Sequence, residues 1–256
     1  MISPRKNRVV AFEDDSAIKH VLVNRQDAPT VFREGLVGSS IEHPNLLRSD
    51  ALQIRDQKQC AQEPCLKAVI TMPRGEPLDK PCPLRFCLDV VCALQALHDL
   101  GWVHLDIKPD NIVVHEQRAK LIDFEHAIPK TIRVLERWYG TDGFVLPSPR
   151  RALLPGDLVR MDVFALLITL QRLIQDENIC SGLRALQQQL VADHLAGERL
   201  DRDYLAEIRA LLPGDQVKCP AAKQTKALLQ AVRASDVSSC AAFEQSLFNY
   251  FISKQQ

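Results

Sequence analysis

The sequence predicts a single α+β domain, residues 1–256, in which a small β-rich lobe (residues 1–73) precedes a larger, mainly helical lobe (residues 74–256). Two observations predict this. Short β-branched runs such as RVVAFE, SAIKHVLV and CLKAVITM dominate the first third. After the Pro/Gly-rich break PRGEPLDKPCP, the apolar period changes from two to 3.6 residues.

The elements of the first lobe follow from local patterns. RVVAFE and SAIKHVLV surround the polar pair Asp14 and Asp15, which predicts a β-hairpin. APTVFREGLVGSSIEHPNLL predicts a short helix that ends near Gly38 and is followed by an extended segment. CLKAVITM, a continuous apolar run, predicts a buried strand.

The second lobe is predicted to be helical, with one strand pair. LRFCLDVVCALQALHDL carries apolar residues at helical spacing, and Gly101 marks its end. NIVVHE and AKLIDF predict two short strands around a turn. Helical periodicity then predicts helices near residues 161–175, 183–196, 203–211, 224–234 and 241–252.

Composition narrows the function classes. Lys plus Arg (32) balances Asp plus Glu (32), so no overall field favours nucleic acid or a membrane as partner. The N-terminus has no apolar core of a signal peptide, and the run MDVFALLITLQRLI is too short to span a bilayer. These features predict an intracellular protein, cytoplasmic or nuclear. Its eight cysteines contain no C-x-x-C pair and are expected to be free, buried thiols.

The stretch HLDIKPDN concentrates the residue types that phosphoryl transfer needs. That reaction requires an oriented acceptor, metal ligands and positive charge on the phosphates. Asp106 could orient an acceptor hydroxyl, Lys108 could stabilise the moving phosphate, and Asn111 could bind a metal ion. Asp123 of the DFE sequence follows twelve residues after Asn111, at the end of a predicted strand, and could hold magnesium.

These motifs resemble those of eukaryotic-type protein kinase domains, whose order they follow over residues 9–175. HLDIKPDN and DFE resemble the family's H-R-D-L-K-P-x-N and D-F-G. The resemblance implies a bilobal protein-kinase-like fold that binds ATP and Mg²⁺. It also implies that Lys19 in SAIKHV pairs with the α- and β-phosphates and with Glu34, and that Asp162 ties down the catalytic-loop backbone.

Two further segments complete the resemblance. VITMPRGEPL aligns with the hinge, so Thr71 would line the back of the adenine pocket and the backbones of Met72 and Arg74 would meet the base. GTDGFVLPS resembles the peptide-docking loop, and Thr141 within it, together with Lys108, is typical of Ser/Thr kinases. The partners implied are a protein substrate with Ser or Thr and a regulatory protein.

The sequence departs from the family pattern in four places. No glycine precedes Gly35, so the glycine-rich loop and the first strand are missing or replaced by MISPRKN. Leu105 stands where regulated kinases carry Arg, which argues against gating by phosphorylation. Glu125 replaces the glycine of D-F-G, and a glutamate there would destabilise the fold by about 1 kcal/mol if its φ were positive. Ser148 and Cys240 stand where the family has the Glu and the Arg of a buried ion pair, and loss of both partners together can leave the stability of the fold nearly unchanged.

Three functional hypotheses remain open. The leading one is an active, minimal Ser/Thr protein kinase. The second is a pseudokinase that acts as a binding or scaffold module, supported by the missing glycine loop, Glu125 and Ser148. The third is a small-molecule kinase of the aminoglycoside or choline type, because LIDFEHA resembles the Asp-x-Glu metal motif of those enzymes. So reduced a domain would suit a large DNA virus, although no residue identifies the source.

Overall fold

The computed structural model describes residues 7–24, 28–57, 65–78, 80–135, 139–147, 153–197, 202–214, 218–225 and 239–254. The helices within these ranges are α1 (Ala28–Ser40), α2 (Leu84–Asp99), α3 (Asp157–Leu173), α4 (Glu177–Ala196), α5 (Tyr204–Leu211) and α6 (Cys240–Lys254). The strands are β1 (Asn7–Glu13), β2 (Ser16–Asn24), β3 (Ile41–Glu42), β4 (Ala51–Gln57), β5 (Cys65–Pro73), β6 (Glu76–Pro77), β7 (Trp102–Val103), β8 (Ile112–His115), β9 (Arg118–Leu121), β10 (Ile128–Pro129) and β11 (Lys223–Gln224). The order gives the bilobal α+β fold that the sequence predicts.

A four-stranded antiparallel sheet forms the first lobe, in the order β1-β2-β5-β4. The predicted hairpin is confirmed, because Glu13 pairs with Ser16 across the turn at Asp14 and Asp15. Helix α1 packs on this sheet over a small apolar core that includes Val31 and Phe32. Strand β4 was not predicted, because its polar residues obscure the alternation that marks a half-buried strand.

The second lobe is built around α2 and α3, whose apolar faces are fully buried in one continuous core. Helix α2 follows the predicted run closely. Helices α3 and α4 begin earlier than expected, at Asp157 and Glu177, because local start signals precede their apolar periodicity. The Asp176 carboxylate, for example, accepts hydrogen bonds from the amides of Asn178 and Ile179 and caps α4. No helix within the described ranges is long and apolar enough to cross a membrane.

One predicted helix is not found as expected. Gln224, its first residue, lies in β11, which pairs with β3 in antiparallel register. The Thr225 amide donates to the Ser40 carbonyl 3.0 Å away, so the chain here runs extended beside the end of α1. Pairing with β3 and with the end of α1 therefore satisfies the backbone N–H and C=O groups of residues 223–225, which a helix would have satisfied internally. The rest of the predicted helix, residues 226–234, lies outside the described residues.

The cysteines require one correction. Cys82, Cys87, Cys180 and Cys240 are buried thiols, as expected. Cys92 and Cys219, however, form a disulfide across 127 residues of sequence. Cys92 lies on α2, and the segment that follows α5 returns beside this helix, a proximity that cysteine spacing along the chain does not reveal.

The last helix, α6, packs against α1 of the first lobe. Just before it, the backbones of Val134 and Ser239 form a parallel bridge. Within α6, the Phe243 ring lies 5.8 Å from the Trp102 ring, centroid to centroid, and is buried in the main core. Helix α6 therefore belongs to the core of the second lobe while it also covers one side of α1.

Candidate active site

A cavity of about 540 Å³ lies between the two lobes. This volume falls in the range of small-molecule and cofactor sites. One part of its wall is apolar and is formed by Val10, Phe12, Ala17, Leu47, Met72, Val113 and Ile122. The other part is polar and contains Lys19, Glu34, Asp110, Asn111 and Asp123. The cavity can therefore hold a ligand that has both an apolar group and a charged group.

Lys19 and Glu34 form a buried ion pair at the polar end. The Lys19 Nζ lies 2.7 Å from Glu34 Oε1 and 2.8 Å from Oε2, and 3.2 Å from Asp123 Oδ1. Strand β2 supplies the lysine, and α1, packed on the same sheet, supplies the glutamate. Lys19 is only 8% exposed, so its charge requires the compensation that Glu34 and Asp123 provide. Because Lys19 also lines the cavity, an anionic ligand that enters can contact it.

Asp106 lies at the centre of a second polar group. Its Oδ2 accepts hydrogen bonds from Lys108 Nζ at 2.8 Å and Asn111 Nδ2 at 3.0 Å, and its Oδ1 accepts one from Thr141 Oγ1 at 2.7 Å. Burial raises the pKa of Asp106, but the bonds from Lys108 and Thr141 and the Lys108 charge outweigh it and hold the pKa below its ordinary value. Asp106 is therefore an ionised, oriented carboxylate at neutral pH.

Asp162 fixes the backbone on which Asp106 stands. This fully buried carboxylate on α3 accepts the amides of His104 and Leu105 at 2.8 and 2.7 Å and lies 2.9 Å from His98 Nε2. The predicted role of Asp162 as the loop anchor is confirmed. Leu105 adopts a φ of 64°, which costs about 1–2 kcal/mol for such a residue. Its side chain is buried in the core, so an apolar residue suits this position.

Three carboxylates meet near Lys19. Single oxygens of Glu34, Asp123 and Glu125 all lie within 4.8 Å of one another. Carboxylate oxygens are the ligands that Mg²⁺ prefers, so this donor set fits the metal that the family resemblance implies. Asn111 donates through Nδ2 to Asp106, and its side chain also lines the cavity, so its oxygen can add to the set.

The expected backbone strain falls on Asp123 and not on Glu125. Asp123 has φ 65° and ψ 70°, in the left-handed region, and precedes a 3₁₀ turn, Phe124–His126. Glu125 has no positive φ, so the penalty considered for replacing glycine there does not arise. Its carboxylate is buried and lies 3.3 Å from His126 Nε2. Glutamate is therefore compatible with the local backbone at this position.

The hinge prediction needs a correction at Thr71. Strand β5 pairs with β2 so that Ile70 lies opposite Lys19 and Met72 opposite Ala17. Successive side chains of a strand point to opposite faces, so Ile70 and Met72 share the cavity face with Lys19, and Thr71 lies on the other face. Met72 and Arg74 line the cavity, whereas Thr71 does not. The Arg74 amide, which was expected to meet the base, donates to the Asp15 carbonyl at 2.7 Å.

The predicted docking loop closes over Asp106. Besides its bond to the carboxylate, the Thr141 hydroxyl accepts a hydrogen bond from Lys108 Nζ at 2.8 Å. Gly140 has φ 103°, and a Cβ there would lie 3.1 Å from the Leu105 carbonyl, so glycine permits the close approach. Ser148 lies outside the described residues, and the predicted loss of its ion pair stays a prediction.

Sequence reasoning missed a contact network on the far side of α1. Arg33 on α1 pairs with Glu244 on α6, and Tyr139 contacts Cys240 at the start of that helix. The residues that meet here lie between 101 and 211 positions apart, so no local spacing could have revealed them. His98, which contacts Asp162, was also missed, although its place on the buried face of α2 was a signal.

Comparison with known proteins agrees with this geometry. The family model described as protein kinase domain matches residues 8–247. R436 of Acanthamoeba polyphaga mimivirus, which is named as a serine/threonine-protein kinase, is 27% identical over 200 residues, or 70% of this chain and 71% of that protein. The pig proto-oncogene serine/threonine-protein kinase mos is 35% identical over 116 residues, 43% of this chain and 32% of that protein. PknG of Mycobacterium leprae is 33% identical over 90 residues, 35% of this chain and 11% of that protein.

Proposed function

The chain belongs to the protein kinase domain family, and from this membership we propose that it is a serine/threonine protein kinase that uses ATP and Mg²⁺. One observation carries the proposal. Lys108 and Thr141 both hold the Asp106 carboxylate, and this group lies beside the cavity that contains the Lys19–Glu34 pair. A phosphate donor and a hydroxyl acceptor could therefore meet at this point.

In this proposal Asp106 orients the acceptor hydroxyl. A carboxyl whose pKa lies below its ordinary value is ionised at neutral pH, so it accepts a hydrogen bond from the hydroxyl before reaction. A new bond forms between the acceptor oxygen and the γ-phosphorus, the bond from that phosphorus to the bridging oxygen of ADP breaks, and the hydroxyl proton passes to Asp106. Lys108, 2.8 Å from Asp106, places a positive charge next to the moving phosphoryl group.

Lys19 binds the phosphates of the donor in this proposal. Its Nζ faces Glu34 and Asp123 at the polar end of the cavity, where the triphosphate would lie. Mg²⁺, held by Asp123 and Asn111 with Glu125 as an additional oxygen donor, would neutralise the phosphate charge. The apolar wall that contains Met72 would hold the adenine ring.

The experiment is phosphate transfer from labelled ATP by the purified chain, with magnesium and a mixed pool of Ser/Thr peptides. Transfer to serine or threonine is expected, and Asp106→Asn should lower its rate by about 100-fold or more, because an oriented base contributes that much. The matched control is Asp50→Asn, which changes an exposed carboxylate just before β4. Equal transfer by the parent and Asp106→Asn would contradict the proposal.

A pseudokinase is the second candidate, because the hairpin β1–β2, which borders the cavity and turns at Asp14 and Asp15, contains no glycine that could form a loop over the phosphates. Within the described strands, β1 is the edge strand of the sheet, and its Val10 and Phe12 line the cavity. Thermal unfolding with and without Mg-ATP tests this reading. A ligand at 100 times its Kd adds about 2.7 kcal/mol to stability, so clear stabilisation without transfer to any acceptor would favour a binding module.

A small-molecule kinase is the third candidate. Asp123 and Glu125 stand two residues apart, and each contributes an oxygen to the cluster of three carboxylates near Lys19, as expected for an Asp-x-Glu metal site. Against it, Lys108 and Thr141 both contact Asp106, an arrangement that favours a protein acceptor. Labelled product that migrates as a small molecule when aminoglycosides or choline replace the peptides would favour this reading over the first.

A further inference from the structure

Arg33 is a fully buried cation at a junction of three elements. It stands next to Glu34 on α1, and its Nη2 lies 3.0 Å from Glu244 Oε1 on α6. Its guanidinium carbon lies 5.8 Å from the centre of the Tyr139 ring, in the segment that leads to the docking loop. An arginine with no exposed surface requires such compensation, because a buried charge without a partner is strongly unfavourable.

Helix α1 is enclosed on all sides. Eleven of its 13 residues are buried, whereas a helix on the surface of a domain normally exposes about half of its circumference. Gly35 packs on Leu52 of the sheet, and Gly38 lies against Phe124, the residue after Asp123. Helix α6 covers the side that would otherwise face solvent.

Helix α6 is itself held by the second lobe. The Phe243 ring packs on Trp102, which directly precedes the catalytic loop. The Cys240 amide donates to the Val134 carbonyl at 3.2 Å. A helix that is fixed to the second lobe therefore contacts α1 of the first lobe, the helix that carries Glu34, the partner of Lys19.

We propose that α6 is an intramolecular clamp on α1, and that Arg33 and Glu244 are positioning residues that hold Glu34 against Lys19. Adjacent residues of a helix are separated by a fixed rotation of about 100°, so anchoring Arg33 on one side sets the direction of Glu34 on the other. The catalytic consequence rests on the proposed function, because formation of the Lys–Glu pair is a condition of phosphoryl transfer in protein kinases.

The clamp also reaches the acceptor side of the site. The Tyr139 hydroxyl lies 2.6 Å from Cys240 Sγ, and two residues later Thr141 binds Asp106. Helix α6 therefore contacts the donor half of the site through Arg33 and the acceptor half through Tyr139. A single segment of this chain therefore contacts the supports of both halves of the site.

Amide hydrogen exchange of Glu244→Gln tests the clamp without any turnover. Loss of the carboxylate leaves Arg33 buried and unpaired, so the amides of α1 should exchange about tenfold faster, while those of α4 stay unchanged as an internal reference. The matched control is Glu177→Gln, which removes an exposed ion pair with Arg184 on α4. Exchange in α1 that is the same for Glu244→Gln and Glu177→Gln would overturn the proposal.

Kinetics separate positioning from general stability. Glu244→Gln should lower kcat about tenfold and leave KM for the peptide unchanged, because the misplaced group is the partner of Lys19 and not the docking loop. The double variant Arg33→Met with Glu244→Leu removes both charges and keeps the apolar contact, so it should restore α1 protection and kcat to within about threefold of the parent.

The remaining outcomes are also decisive. If Glu244→Gln unfolds as a whole, α4 loses protection together with α1, and the double variant decides: a stable double variant whose α1 exchanges freely overturns the clamp. If the parent transfers no phosphate, the proposed function fails, but faster α1 exchange in Glu244→Gln still supports the clamp. The two failures are therefore distinguishable.

Discussion

Replacement of Asp162 by asparagine should reveal how much the fold depends on the anchor of the loop that carries Asp106. The side chain is fully buried and meets three nitrogens: the amides of His104 and Leu105 and the Nε2 of His98. Asparagine keeps the volume but has one acceptor oxygen; even with that oxygen in the Oδ2 position, which receives His104 and His98, its Nδ2 faces the Leu105 amide, so two buried donors are left without an acceptor. Each buried polar group left unsatisfied costs about 1–3 kcal/mol, which gives about 2–6 kcal/mol for two.

Part of this cost is recovered. Leu105 is held at a φ of 64°, a conformation that costs about 1–2 kcal/mol, and the freed loop can relax away from it. The expected loss is therefore about 3 kcal/mol in the free energy of unfolding, a large share of the 5–15 kcal/mol typical of a domain. The same relaxation displaces Asp106, so kcat should fall as well.

Urea unfolding followed by circular dichroism measures this loss as a decrease in the midpoint at unchanged slope. Asp50→Asn serves as the control, because Asp50 is exposed and its amide change should alter the free energy of unfolding by less than about 0.5 kcal/mol. A result for Asp162→Asn that is indistinguishable from the control would refute the anchoring role of Asp162.

Three further predictions follow from the same contacts. Thr141→Val removes a hydrogen-bond donor to Asp106 and should raise the pKa of Asp106 toward its ordinary value. The depressed pKa stabilises the folded parent above about pH 4, and this stabilisation is lost as the pH falls below that value. The Tm of the variant should therefore decrease less than the Tm of the parent between pH 5 and pH 3. An equal loss in both proteins would argue against that hydrogen bond. Cys219→Ser opens the 127-residue link to Cys92 and should lower stability by up to about 4–5 kcal/mol, seen as a lower Tm without reductant; no difference between variant and parent would contradict it. Glu125→Gln removes one carboxylate from the metal group and should raise the magnesium concentration for half-maximal transfer about tenfold, and an unchanged requirement would exclude Glu125 as a ligand.

The sequence by itself determined the elements whose partners lie close along the chain. The hairpin at Asp14, helix α2 and the strand pair β8–β9 form where local patterns predict them. The proposed catalytic residues Asp106, Lys108 and Asn111 are equally local, because they lie within six residues and contact one another directly. Asp162 and Thr141, which hold Asp106 in place, come from distant parts of the chain. Motif order then extended this local information to Lys19 and its pairing with the first helix.

Tertiary structure decided what depends on the phase of a strand or on distant contacts. The pairing of β5 with β2 turned Thr71 away from the cavity and placed Ile70 on the same face of the sheet as Lys19. Only the register determines this one-residue difference. Cys92 and Cys219 meet across 127 residues, and Arg33 meets α6 across 211. Contacts at such separations follow from how helices pack, because the intervening chain restricts its ends very little. Local spacing therefore specifies the chemical groups of this site, whereas packing specifies how they are held.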